Sequence, residues 1–196
     1  MLPWGHLAVG YVVYSLGGRA WHRRAPGGQA IVVVAVATQL PDLIDKPLNW
    51  WFSVYDGRAI GHSVVFAVAA CALVVYLARN RERFDLATAF SVGLVTHLLG
   101  DSYPALLQGD HRALSFLLWP FRSPPTYPSD SFLEHLRVWV VKLRFLPYQS
   151  PQDLLTTRFG QQLALLAALI GLWAVDGFPG LKTLFRLVTG GSTGTE

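Results

Sequence analysis

Six ionisable residues stand where apolar segments of this chain end. They are His6 in PWGHLAV, Asp42 and Asp45 in QLPDLIDK, His62 in GHSVV, and His97 and Asp101 in THLLGDSYP. Imidazoles and carboxylates are the ligand types that suit Zn²⁺, Mn²⁺ or Fe²⁺ rather than Ca²⁺. His97 and Asp101 are four residues apart, so a helix places them on one face, one turn from each other, where they can clasp one cation. Asp42 and Asp45 point the same way if a helix continues past Pro41. Three imidazoles and three carboxylates are too many for one tetrahedral ion and suit two ions bridged by a carboxylate. Two ions about 3.5–4 Å apart can align a nucleophile with a leaving oxygen and acidify water toward a pKa of about 7. Zinc, manganese and iron all stay open as the metal at this point.

Each residue also has a plainer reading. His6 can be an interfacial histidine, Asp42 a cap and His62 the neighbour of a cap, while Asp45 can pair with Lys46 or face solvent. The His97–Asp101 pair resists this, because ionisable groups inside apolar segments are costly and are kept mostly for function. His22, in WHRR, falls on the opposite side and is excluded. His111 and His135 are reserve ligands, and Asp176 reads as structural.

Apolar segments must position these groups. They cover 4–17, 28–40, 60–78, 86–100 and 160–175 of the 196 residues. Charged residues make up 14% of the chain, against about 25% in soluble domains, and mean hydropathy is +0.36. These values predict an integral membrane protein, an all-α bundle of four or five transmembrane helices. Only segment 60–78 meets the roughly 20 residues a bilayer needs without borrowing from its polar flanks. One cysteine, Cys71, excludes a disulfide framework and a cysteine-based zinc site, and reads as a packed thiol. The net charge of +4 is spread over short loops, with no basic stripe for nucleic acid. No phosphate-binding glycine loop or nucleophile elbow is present, so no nucleotide cofactor and no serine hydrolase is expected. The N-terminus has no basic residue before its apolar run and does not read as a removable signal peptide.

Basic residues set the orientation. Arg19, Arg23 and Arg24, then Arg79, Arg81 and Arg83, then Lys182 and Arg186 fall on one side of a five-crossing bundle. The positive-inside rule makes that side cytoplasmic. All six candidate ligands then fall on the other face, although none of them entered that derivation. Residues 1–189 form one membrane-embedded domain, with 101–159 as an extramembrane or interfacial insertion and 190–196 as a disordered tail. Within the insertion a proline-rich breaker, 123–130, precedes SFLEHLRVWVVKLRFL. Ser131 and Glu134 have capping-box spacing there, and the run predicts an amphipathic helix on the membrane surface. Trp4, Trp50, Trp51 and Trp119 fall near the same boundary.

In order, His6, PDLID, His62-Ser63, HLLGD and SFLLWPF resemble the YdjM-like family over residues 1–121. That family is described as LexA-regulated, membrane-bound, metal-dependent hydrolases, distantly similar to zinc-dependent phospholipase C. The resemblance implies His6, Asp42, His62, His97 and Asp101 as metal ligands. Asp45 is then a ligand, a group orienting a histidine, or the general base, and Arg58 or Arg112 can hold a phosphate. The expected function is hydrolysis of a phosphoester, such as a lipid head group, at the non-cytoplasmic face of the inner membrane, with membrane lipid as the partner. A non-catalytic membrane protein with a structural metal site or an ion relay is the alternative.

Overall fold

The computed structural model describes residues 1–54, 57–124, 131–144, 150, 152 and 156–189. The expected tail and most of the proline-rich breaker lie outside these residues. The described chain is helical, with no strand among the described residues. Helix α1 spans Pro3–His22, α2 Gly28–Ala37, α3 Leu40–Phe52, α4 Val64–Arg79 and α5 Phe84–Gln108. A 3₁₀ helix, Arg112–Leu118, precedes α6 (Phe132–Arg144), α7 (Arg158–Val175) and α8 (Leu181–Thr189). Helix α5 packs on α1, α2 and α4, and α1 also packs on α7.

Among the described residues only α7 is both long and apolar enough to cross a bilayer, with a mean hydropathy of 1.4. This changes the expected list of spans. Segment 60–78 yields a helix of only 16 residues, because Ser63 caps it: its Oγ accepts the Val65 N–H at 3.1 Å. Residues 60–62 therefore stay outside the helix, which turns His62 inward. Segment 28–40 yields a ten-residue helix, about 15 Å long against the roughly 30 Å of a hydrocarbon core. It breaks at Thr38 and Gln39, and Pro41 then opens α3, where a missing N–H costs nothing. Helix α5 does not stop near residue 100 but runs on through Pro104 to Gln108.

Close backbone approach holds the bundle together. A Cβ on Gly93 of α5 would lie 2.8 Å from the Ala37 Cβ and 3.0 Å from the Val34 carbonyl oxygen of α2. Small residues at a crossing are the usual means of packing helices surrounded by lipid. Beside this contact Ala30, Val34 and Ala89 are buried together, and Ala67, Leu94 and Leu98 form a second cluster against which Cys71 packs. The predicted amphipathic helix is present as α6, with the Glu134 N–H on the Ser131 Oγ at 3.2 Å. It reaches the bundle through aromatic contacts, Trp139 on Trp4 and Phe132 on Trp50.

The two ends of the bundle differ in charge. At one end Arg19, near the end of α1, pairs with Asp176, which caps α7, and Arg83 bonds the Gln29 side chain at the start of α2. At the other end Leu2 N bonds the Gln162 side chain in the first turns of α7, and His6, Asp42, His62, His97 and Asp101 assemble. The separation of the arginines of loops 18–27 and 79–85 from the candidate ligands, expected from loop charge, is thus present as opposite ends of one helical bundle.

Asp176 is structural, as expected. Its side chain has no exposed surface and takes Tyr11 Oη at 2.7 Å, Ser15 Oγ at 2.6 Å and Arg19 Nε at 2.9 Å. Tyr11, Ser15 and Arg19 recur every four residues along one face of α1. Asp176→Ala leaves two hydroxyls and a half-open guanidinium without their acceptor. It is expected to destabilise the chain by about 2 kcal/mol, read as a lower Tm in detergent with metal content unchanged. An unaltered Tm would show that this clamp does not join α1 to α7.

Candidate metal centre

Four parts of the chain bring the candidate ligands together. Pro3 starts α1 and sets His6 in its first turns. Asp42 and Asp45 lie in the first turns of α3, and the loop before α4 supplies His62 and Arg58. The buried face of α5 supplies His97 and Asp101. His6, His62 and His97 are fully buried. Ligand atoms of His6, Asp42 and His97 lie within 4.8 Å of one another, and so do those of His62, His97 and Asp101.

The hydrogen bonds fix which ring nitrogens face the centre. His97 Nδ1 lies 2.7 Å from the Thr38 carbonyl oxygen, which only accepts, so Nδ1 carries the proton. That carbonyl is one that α2 leaves unpaired where it ends. His62 Nδ1 lies 2.7 Å from Asp45 Oδ2 and donates to it. The two Nε2 atoms then face each other at 3.1 Å. In the neutral rings both present lone pairs, an arrangement that needs a proton or a cation between them. Two nitrogens on a tetrahedral zinc stand about 3.3 Å apart at its usual bond length.

Asp101 completes the ring. Its Oδ1 is 3.2 Å from His6 Nε2, and its Oδ2 is 3.4 Å from His62 Nε2 and 4.0 Å from His97 Nε2. Asp42 Oδ1 is 3.6 Å from His62 Nε2, and its side chain keeps 23% exposure. Arg58 reaches Asp101 Oδ2 at 2.8 Å, and the Met1 nitrogen lies against Oδ1. The His6 ring stacks on His97 with centroids 3.8 Å apart. Neither nitrogen of this buried ring makes an aligned hydrogen bond within the protein. Buried polar atoms without partners are rare in native proteins. A cation among these nitrogens and carboxylates would give one of the two a partner, so the residues present fit a divalent metal.

Asp45 is placed differently from the other five. It is buried and accepts four hydrogen bonds: from the amides of Ala59 (2.7 Å), Gly61 (2.9 Å) and His62 (3.2 Å), and from His62 Nδ1. Four donors match the roughly four lone-pair sites of a carboxylate. Burial opposes its ionisation, but the bonds from His62, Gly61 and Ala59 outweigh burial and hold its carboxyl below the usual range. Burial likewise favours the neutral His62 ring. The hydrogen bonds and charges of Asp101, Asp45 and Asp42 prevail, and its pKa is raised. Lys46, the expected partner of Asp45, instead lies over the Trp50 ring at 5.9 Å.

Other candidates are left out. Arg112 is exposed at the first turn of the 3₁₀ helix, where its N–H bonds Asp110. Of the two arginines considered for phosphate, Arg58 is the one brought to the cluster. His111 is exposed, and His135 packs on Trp50 and Trp139 rather than among the ligands. Two contributors escaped the sequence reading: the Thr38 carbonyl and the amides of loop 57–63. A signal for the first was TQLP, where a helix must break before proline. For the second it was the glycine in AIGH. A Cβ on Gly61 would lie 2.7 Å from the Pro41 carbonyl oxygen, so only glycine lets this loop lie on α3.

A family model described as YdjM inner membrane protein matches residues 1–180. No curated protein and no solved structure matches the chain.

Proposed function

We propose, from the premise that this chain belongs to the YdjM inner membrane protein family, that it is a metal-dependent hydrolase of phosphoesters. One observation carries the reading. Three buried imidazoles and two carboxylates from four separate parts of the chain converge, with the unprotonated nitrogens of His62 and His97 turned toward each other. His6, Asp42, His62, His97 and Asp101 are the ligands. Asp101 presents one oxygen to His6 and the other to His62 and His97, so both of its oxygens would be available to hold a divalent metal. A divalent cation bound there supplies Lewis acidity toward a phosphoryl oxygen and toward water.

The chain's own groups do the rest. Asp45 is a positioning residue: it fixes the tautomer of His62 and so keeps Nε2 available. Thr38 does the same for His97 through its carbonyl. Arg58 borders the cluster and is the group that meets a phosphate. In the reaction a water oxygen bonds to phosphorus, one phosphorus–oxygen ester bond breaks, and a proton ends on the leaving alkoxide. Arg19, Arg23, Arg24, Arg79, Arg81, Arg83, Lys182 and Arg186, which belong to the loops and tail at the opposite end, support a site on the non-cytoplasmic face. Further crossings by α1, α4 and α5 are part of this reading.

The purified full chain in detergent tests it, with a soluble phosphodiester and a phospholipid as substrates. Turnover is expected to disappear with a chelator and to return with one of zinc, manganese or iron. Turnover indifferent to chelation, or none by the metal-replete chain, would end the hydrolase reading. The complete burial of the three imidazoles favours a second reading, a structural metal. On that reading chelation lowers Tm and no phosphoester is cleaved.

A further inference from the structure

Helices α5 and α7 both pack on α1 but diverge from each other, and the space between them is a groove of about 1090 Å³. Its walls are apolar: Val9 and Val13 from α1, Val95 and Leu99 from α5, Leu165 from α7. Its two guanidinium groups, Arg58 and Arg158, and Gln162 lie at the end nearest the candidate ligands, and Ser91 and Thr96 of α5 also line it. Gly100, next to Asp101, also lines it, and a Cβ on Gly100 would lie 3.3 Å from His6 Nδ1. The groove therefore runs alongside the metal centre. From the level of Asp101 to Ser91, its farthest lining residue on α5 toward the basic end, α5 rises about 15 Å, which is half of a roughly 30 Å hydrocarbon core.

We infer that this groove seats an acyl chain of an anionic glycerophospholipid, with the lipid phosphate at Arg58 and Arg158. The stretch from Asp101 to Ser91 matches one leaflet, the walls match a hydrocarbon chain, and the two guanidinium groups match a phosphate. Arg58 also touches Asp101, so a phosphate held there lies beside the proposed ligands. The inference deepens the hydrolase reading by naming the substrate class and a lateral entry from the bilayer. It rests on that reading only for what happens to the lipid after it binds.

The test reads binding without turnover. The full chain, stripped of metal by a chelator, is mixed with phosphatidylglycerol in detergent, and retained lipid is counted by native mass spectrometry. The parent is expected to hold one lipid. Val95→Trp, which fills the groove with an indole, is expected to weaken retention at least about tenfold, and Val13→Trp on the facing wall to do the same. Val68→Trp, on an exposed face of α4 away from the groove, should match the parent. Metal uptake by each variant reports that it folds, and two walls are probed so that one misfolded variant leaves the other. Absence of lipid on the parent, or equal retention by the parent and a folded groove variant, overturns the inference. Lipid lost only from the groove variants supports it, even if no phosphoester is ever cleaved, so its failure is separable from that of the hydrolase reading.

Discussion

Replacing His97 by alanine is expected to empty the metal centre. His97 belongs to both groups of ligands, stacks on His6 and faces His62, so it ties the two groups together. Its removal takes away one ligand and the ring that orients another. Metal content of the purified chain should fall to background. Phosphoester turnover should fall at least about a thousandfold, since a bound cation contributes several kcal/mol to such a transition state and each 1.36 kcal/mol is a factor of ten. A buried ring cut to a methyl also leaves a cavity, so a second variant is needed. Asp101→Asn keeps the volume and removes the charge that faces His6, His62 and Arg58, and it should lose metal as well. His111→Ala, at an exposed position, should keep it. Unchanged metal content in both cluster variants would remove the basis of the site.

Asp45→Asn tests how the centre is organised. The amide matches the carboxylate in shape but turns an NH₂ group toward donors that need an acceptor. If that group faces His62 Nδ1, the ring must accept there, and its proton moves to Nε2, the nitrogen that faces His97. The lone pair meant for a cation is then gone. Metal affinity is expected to fall about 10- to 100-fold, the usual effect of losing such a supporting carboxylate, measured by competition with a chromophoric chelator. Saturating metal should restore much of the turnover, because Asp45 does not touch substrate. If turnover stays lost with the metal site full, Asp45 is a general base and the positioning role is wrong.

Much of the site was legible in sequence because its signals are local. His97 and Asp101 share a helix face through their spacing alone, and Pro41 opens α3 so that Asp42 and Asp45 follow on its first turns. The basic residues of loops 18–27 and 79–85 sort together, and the structure keeps Arg19 and Arg83 at the end of the bundle away from the candidate ligands. Two expected segments were shortened, and one open choice was decided, by how the parts of the chain meet. Segment 60–78 lost its first residues to the loop that bends His62 inward. Segment 28–40 was cut at Thr38, whose carbonyl then meets a ring 59 residues away. Of two arginines that looked alike in sequence, only Arg58 was delivered to Asp101.

By itself the sequence determined the class of molecule, its helical character and the candidate ligands, because apolar content, periodicity and side-chain chemistry are properties of short stretches. Tertiary structure alone decided which nitrogens face the centre, that Asp45 serves His62, and that a groove opens beside the site. Those outcomes depend on where α1, α2 and α5 cross. The crossings are set by glycines such as Gly93, which let backbones distant in the chain come into contact, and the hydrogen bonds that orient each imidazole form only once they do.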